Sequence, residues 1–172
     1  SSEIWNNKNR FYEAYLKKFD GYYDTSDAGI IDKNGYISVM SRTDDIINCA
    51  GHRLSTGSIE EILTQHKDVA ECAVVGFNDE LKGQVPIGLI VLSTSSINSE
   101  ETIIKETINL VRKKLGPVAS YKKSIIVENL PKTRSGKILR STISKILNKE
   151  DYRVPATIED INTLELIKNL KV

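Results

Sequence analysis

Apolar positions along the chain fall into a short leading region and a longer region of alternating elements. Phe11, Tyr12, Tyr15, Leu16 and Phe19 recur at helical spacing and predict an amphipathic helix over Arg10–Phe19. Ile30-Ile31 and Tyr36–Met40 flank Asp32-Lys33-Asn34-Gly35, and an Asn-Gly pair between apolar runs signals a hairpin. Ser41–Asp45 is short and polar, as a linker would be. Ile46–Gly51 then reads as a strand ending in a glycine turn, and Ser58-Ile59-Glu60-Glu61 fits a capping box opening a helix to about His66. Val69–Phe77 and Val85–Leu92 read as strands, and the nearly continuous apolar run of the second places it centrally. Asn98-Ser99-Glu100-Glu101 caps a long helix with Ile104, Ile108, Val111 and Leu115 on one face, closed by Gly116-Pro117. Ser124–Val127 is a further strand. Ser135-Gly136 opens a helix whose apolar face carries Leu139, Ile143, Ile146 and Leu147. From Asn148 the chain reads as a polar tail with one weak helix, Ile158–Leu170.

These elements predict an α+β protein: a short hairpin, a hinge, and a mixed sheet of about three strands flanked by helices. Residues 44–147 suffice for a core of their own, and residues 148–172 form a tail. Residues 1–43 are too few to bury a core and read as the end of a larger domain.

At 172 residues, 40% hydrophobic and 27% charged, the chain is globular in composition, which excludes disordered and collagen-like classes. No apolar run approaches the roughly 20 residues of a membrane span, and Ser1–Arg10 has no apolar segment of the kind a leader carries. Cys49 and Cys72 stand alone and there is no Asn-x-Ser/Thr acceptor, which predicts a reducing, intracellular setting. His52 and His66 are too few for a histidine-rich metal cage. Charge adds an asymmetry. The net charge is +1, yet Arg112–Lys145 holds ten basic residues against one acid, Glu128, so that stretch carries +9 and the rest −8. A field of this density draws phosphates of a nucleic acid or of a small ligand, or it is a solvated face. Only Tyr121 interleaves aromatic character there, so no nucleic-acid partner is expected.

Three stretches carry candidate chemistry. In Pro131–Ile138, Gly136-Lys137 suits anion binding at a helix start, although the glycine and Ser/Thr spacing of a P-loop is missing. The alternative is a mobile loop presenting Lys137 as a point charge. In Ser41–Arg53, Arg42 and Arg53 bracket a hairpin ending at Gly51, a residue type found where a ligand approaches the backbone. Two solvated arginines on a surface hairpin are the plainer reading. In Tyr23–Asp27, a loop carboxylate suits a ribose diol, and an ordinary Asx turn explains Asp27 equally well.

In this order the motifs resemble the C-terminal part of the AMP-forming acyl-CoA synthetases, within the adenylate-forming superfamily, and most of all its acetyl- and propionyl-CoA synthetase branch. The resemblance runs from about Trp5 to Leu170. It rests on YYDTSDAG (22–29), SRTDDIINCAGHRLSTGSIEE (41–61), VVGFNDELKGQVP (74–86), VRKKLGP (111–117) and LPKTRSGKILR (130–140). YRVPATIED (152–160) is closer to the propionyl enzymes.

What the resemblance implies is a ligase that joins a small carboxylate, acetate or propionate, to CoA at the expense of ATP, by way of an acyl-adenylate. It implies that residues 1–43 end a large adenylation domain and that 44–147 form a mobile C-terminal domain. Asp27 and Arg42 match ribose contacts, Arg53 a residue on the phosphate side, and Asp44 the hinge. Lys137 matches the adenylation lysine, whose ammonium would stabilise charge building on the α-phosphate. Ala50, Gly51 and His52 match the lining of the pantetheine tunnel, and Arg112 the contact to the CoA 3′-phosphate. Thr64, His66 and Val69 match a Mg²⁺ site, with a plain surface histidine as the alternative. Lysine acetyltransferase and deacetylase acting on Lys137 are implied partners, the cytoplasm or mitochondrial matrix the implied compartment. Ser26 departs from the pattern, since many relatives have glycine there. Serine is expected to be tolerated if that position does not need φ > 0. A rival to all this is a stand-alone nucleotide- or CoA-binding module.

Overall fold

A computed structural model describes residues 7–172; residues 1–6, including Trp5, lie outside them. The chain divides into two compact units, residues 1–44 and 45–172.

In the first unit, a helix, α1 (Lys8–Tyr15), is capped by Asn7, whose side chain accepts from the Arg10 N–H at 3.0 Å. It ends four residues earlier than the apolar spacing suggests. Strands β1 (Asp27–Ile31) and β2 (Ile37–Arg42) form the expected antiparallel hairpin. Asp32 shapes its turn by accepting from the N–H groups of Asn34 and Tyr36 at 2.8 and 2.9 Å. Ser41 and Arg42, read as linker, belong to β2, and only Thr43–Asp45 forms a short 3₁₀ turn. Ile31, Tyr36, Ile37 and Val39 stay exposed.

The second unit is a five-stranded mixed sheet rather than one of about three strands. Strands β3 (Ile46–Cys49) and β4 (His52–Ser55) form a hairpin. Helix α2 (Thr56–Leu63) follows, then β5 (Val69–Asp79) and β6 (Gly83–Leu92) pair antiparallel along their length. β6 also pairs with β3 through Gly83 and, in parallel, with β7 (Lys123–Ile126). It is therefore central, as its apolar run requires. Successive residues of β5 and β6 enter different cores. Cys72, Val74 and Ile90 pack with Ile59 and Leu63 of α2 and Val111 of α3 (Glu100–Leu115). Ala73, Val75 and Leu89 pack with Ile143 and Leu147 of α4 (Arg140–Leu147) and Leu164 and Ile167 of α5 (Asn162–Lys168). The tail therefore belongs to the second unit and buries Ile167 completely.

Local chemistry shifted three boundaries. The cap of α2 is Ser55, not Ser58: Thr56 and Gly57 are already helical, so Ser58 lies inside the first turn and cannot form a capping box with Glu61. Ser99 does cap α3, accepting from the Thr102 N–H at 3.3 Å, and Val111 is buried as expected, with Ile108 and Leu115 packed beside it, but the other buried positions are Ile103 and Thr107. The reason is polar: Thr107 satisfies its hydroxyl on the Ile103 carbonyl at 2.8 Å and on Ser124 at 3.0 Å, so it can be buried. Finally, α4 starts at Arg140, after Gly136 rather than with it.

Candidate active-site elements

In the first unit, Asp27 and Arg42 are register partners at the open end of the hairpin, and both are exposed. The turn before Asp27 is held by Asp24, which accepts from the Ser26 N–H at 2.8 Å. That bond, with the Lys18 ammonium at 3.2 Å, keeps the Asp24 carboxyl below its usual range. Ser26 itself lies in the left-handed region at φ +59, so the position does need φ > 0, and the glycine of many relatives suits it better. Its carbonyl accepts from both the N–H and the hydroxyl of Thr43.

In the second unit, β3 and β4 turn through Ala50 (φ +48) and Gly51 (φ +81), a two-residue turn with both φ values positive. The strand continues past Gly51, so Arg53 lies on β4 opposite Asn48, exposed like His52. A Cβ on Gly51 would meet no atom of this chain within 4 Å; backbone conformation is what selects glycine here. The Ala50 N–H donates to the Lys82 carbonyl at 2.9 Å, which fixes this turn against the β5–β6 turn, where Leu81 is 95% exposed.

Arg112 lies on the last turn of α3 and lines a cavity of about 330 Å³ with Gly116, Ser120, Tyr121 and Lys122. Ser120 and Lys122 also line an adjoining cavity of about 350 Å³ that reaches Leu81 and Lys82. Lys82 donates to the Ser120 hydroxyl at 2.8 Å. The two cavities share Ser120 and Lys122: Arg112 lines the first, and Lys82, whose carbonyl accepts from the Ala50 N–H, lines the second. Sequence reasoning missed Lys82 and Ser120, since neither stands in a recognisable pattern.

Lys137 is not at a helix start. It follows a three-residue hairpin loop, Arg134-Ser135-Gly136, with Gly136 at φ +81. The Thr133 N–H donates to the Lys137 carbonyl and the Gly136 N–H to the Thr133 carbonyl, both at 2.8 Å; the Thr133 hydroxyl accepts from the Lys137 N–H at 3.1 Å. The Lys137 side chain is exposed. Two ion pairs hold the ends of this loop, one to the sheet and one to α2. Lys132 pairs with Glu71 of β5, and Arg140 grips Glu60 by two bonds of 2.7 and 2.8 Å, which keeps the Arg140 guanidinium above its ordinary pKa. Glu71 lies eight residues from Asp79 on β5, about 26 Å of extended chain. The Lys137 loop and the Gly51 turn therefore sit toward opposite ends of the sheet.

The Thr64–Val69 turn does not fit a metal as it stands. The His66 Nε2 binds Glu106 at 2.8 Å, its Nδ1 accepts from the Asp68 N–H at 3.3 Å, and its carbonyl accepts from the Val69 N–H. Both ring nitrogens are used, leaving none for an ion. Among the described residues no group of three or more His, Cys, Asp or Glu side chains is placed to hold a metal, and no helix is long and apolar enough to cross a membrane.

Residues 58–137 match the AMP-binding enzyme C-terminal domain. Over these residues the chain matches the C-terminal part of adenylate-forming enzymes. It is 51% identical to the acyl-CoA synthetase short-chain family member B, mitochondrial, of Dictyostelium discoideum, over 97% of this chain and 24% of that protein. It is 52% identical to the acyl-CoA synthetase short-chain family member 3, mitochondrial, of Mus musculus, over 92% of this chain and 23% of that protein. Among solved structures it is similar to the Brucella canis acyl-CoA synthetase, with 31% identity and a TM-score of 0.58 over 78% of this chain and 25% of that one. The chain thus spans about a quarter of the length of the curated relatives it matches.

Proposed function

We propose that this chain is the C-terminal portion of a short-chain acyl-CoA synthetase that converts acetate or propionate, ATP and CoA into acyl-CoA, AMP and pyrophosphate. The observation that carries the reading is the separation of the Lys137 loop from the Gly51 turn, toward opposite ends of one sheet. Two reactive surfaces so placed suit two successive steps, each presented in turn by rotation of the unit about Asp44, within the 3₁₀ turn at the boundary of the units. The exposed Ile31, Tyr36, Ile37 and Val39 support reading residues 1–43 as the end of a larger adenylation domain.

In the first step a carboxylate oxygen attacks the α-phosphorus of ATP and pyrophosphate leaves. Asp27 and Arg42 hold the ribose and the Lys137 ammonium offsets the negative charge that builds on the α-phosphate, while Arg53, two residues past Gly51, faces the phosphate side when that end of the sheet is presented. In the second step the CoA sulfur attacks the acyl carbonyl, its proton is lost and AMP leaves. Arg112 holds the 3′-phosphate, and Ala50, Gly51 and His52 line the path of the pantetheine arm. Mg²⁺ belongs to this proposal as the counter-ion of ATP, since His66 spends both ring nitrogens on protein groups. Acetylation of Lys137 by a lysine acetyltransferase would remove its charge and silence the first step, and a deacetylase would restore it. The cytosol and the mitochondrial matrix both suit this chemistry.

The test is Lys137→Ala in the full-length enzyme, with each half-reaction followed in a single turnover. Adenylation falls roughly 10²–10³-fold, while thioester formation from supplied acyl-adenylate is retained. Equal loss of both steps in a variant with a parental melt refutes the reading.

A further inference from the structure

The Lys137 loop is bounded on its far side by residues 157–159, part of the YRVPATIED stretch, in which the sequence offered no site residue. Thr133 pairs antiparallel with Ile158. The Arg134 N–H donates to the Thr157 carbonyl and the Glu159 N–H to the Lys132 carbonyl, both at 2.9 Å. On the other side Lys132 pairs with Ile138, and the Leu139 N–H donates to the Pro131 carbonyl at 2.9 Å. Residues 131–134 are thus flanked by two hydrogen-bonded segments, 137–139 along one edge and 157–159 along the other, each joined through a single bridge pair. The outer segment lies beyond the residues 58–137 that match the family.

We propose that Thr157–Glu159 is a positioning strand for Lys137, which rests on the reading of Lys137 given above. It does not touch Lys137 but acts through Lys132–Arg134. A lone two-stranded ribbon is marginal in water, whereas a third strand secures it. Arg134, Ser135, Gly136 and Lys137 are all exposed, so the loop tip gains little order from apolar burial. Its order comes from backbone bonds, the Thr133 hydroxyl, the ion pairs at its ends and whatever holds the outer segment. That strand is well tethered. Ile158 packs against the core shared by α4 and α5, the Ile158 N–H donates to the Pro155 carbonyl at 3.0 Å, and α5 then buries Leu164 and Ile167. An ammonium that must meet a developing charge needs such support, because displacement by about 1 Å can cost on the order of 10²-fold in rate.

The experiment compares Glu159→Pro with Glu159→Ala in the full-length enzyme. Proline deletes the N–H that reaches Lys132; alanine keeps it and trims only an exposed side chain. Glu159→Pro should lower adenylation by about 10-fold or more and leave thioester formation from supplied acyl-adenylate parental, whereas Glu159→Ala matches the parent in both. Amide exchange on the 172-residue chain reads the bridge itself: Arg134 loses protection with proline and keeps it with alanine, while β5–β6 amides are unchanged in both. If β5–β6 protection also falls with proline, Ile158→Ala, which loosens the tether without altering the backbone, must show the same split between half-reactions. Parental adenylation in the proline variant, or equal loss of both steps, overturns the proposal. If Lys137→Ala itself leaves adenylation intact, the role of Lys137 fails, and Arg134 exchange still decides whether the strand holds the loop.

Discussion

Asp27 and Arg42 face each other across the β1–β2 hairpin, the first residue of one strand opposite the last residue of the other. Fifteen positions apart in sequence, they share one exposed end of the hairpin. An acceptor and a cationic donor so close together suit a single nucleoside. Arg42→Ala in the full-length enzyme should therefore raise the KM for ATP about 10-fold, as expected for loss of one charge-assisted bond worth about 1.5 kcal/mol. The KM for CoA should stay put. Steady-state kinetics with each substrate varied in turn decides; an effect confined to CoA contradicts the assignment.

Gly51→Leu addresses the other step. The branched side chain would stand where the pantetheine arm passes, so pyrophosphate release should continue for about one turnover while acyl-adenylate accumulates. The substitution also places leucine at φ +81, a strain of about 1–2 kcal/mol. A thermal melt run alongside separates that loss of stability from obstruction. Rapid-quench detection of acyl-adenylate is the measurement, and failure of the intermediate to accumulate in a folded variant counts against the tunnel.

Glu60 and Arg140 are eighty positions apart in sequence and form a bidentate ion pair with little solvent access, their side chains 14% and 25% exposed. Glu60→Gln keeps an acceptor for the Val74 N–H but loses the charge. Removing either partner leaves the other stranded, at a cost of about 2–3 kcal/mol. A double-mutant cycle with Arg140→Met should show coupling of about 1–2 kcal/mol in urea unfolding of the 172-residue chain. Strict additivity means the pair does not hold α4 to α2.

Lys149 ends α4 in the left-handed region at φ +58, with the Glu150 N–H reaching the Lys145 carbonyl at 2.8 Å and the Lys149 N–H reaching that of Ile146 at 3.1 Å. This is the closing arrangement that glycine fills best. Lys149→Gly should raise stability by roughly 0.5–1 kcal/mol and the melting temperature by about 2–4 °C. A lowered melting temperature would show that the lysine side chain makes a contact worth more than the backbone strain.

The sequence alone determined the elements whose signal is local. Apolar periodicity specified the central strand Val85–Leu92, the Asn34-Gly35 turn and the cap at Ser99, and the motif order identified the family. Asp27, Arg42, Gly51, Arg112 and Lys137 were all legible as candidates, because the residue types that bind phosphates and diols are few and their motifs are short. Tertiary structure decided what depends on distant partners. Glu60, read only as part of a helix start, is claimed by Val74 and by Arg140, which lies eighty residues away. The hydroxyl of Thr107 could enter the core only because Ser124 meets it there. The supposed polar tail became part of the second core once Leu164 and Ile167 found Ala73, Val75 and Ile143 to pack against. Its strand 157–159 then came to lie beside the Lys137 loop, since the backbone hydrogen bonds that join two segments carry no side-chain signature in either one.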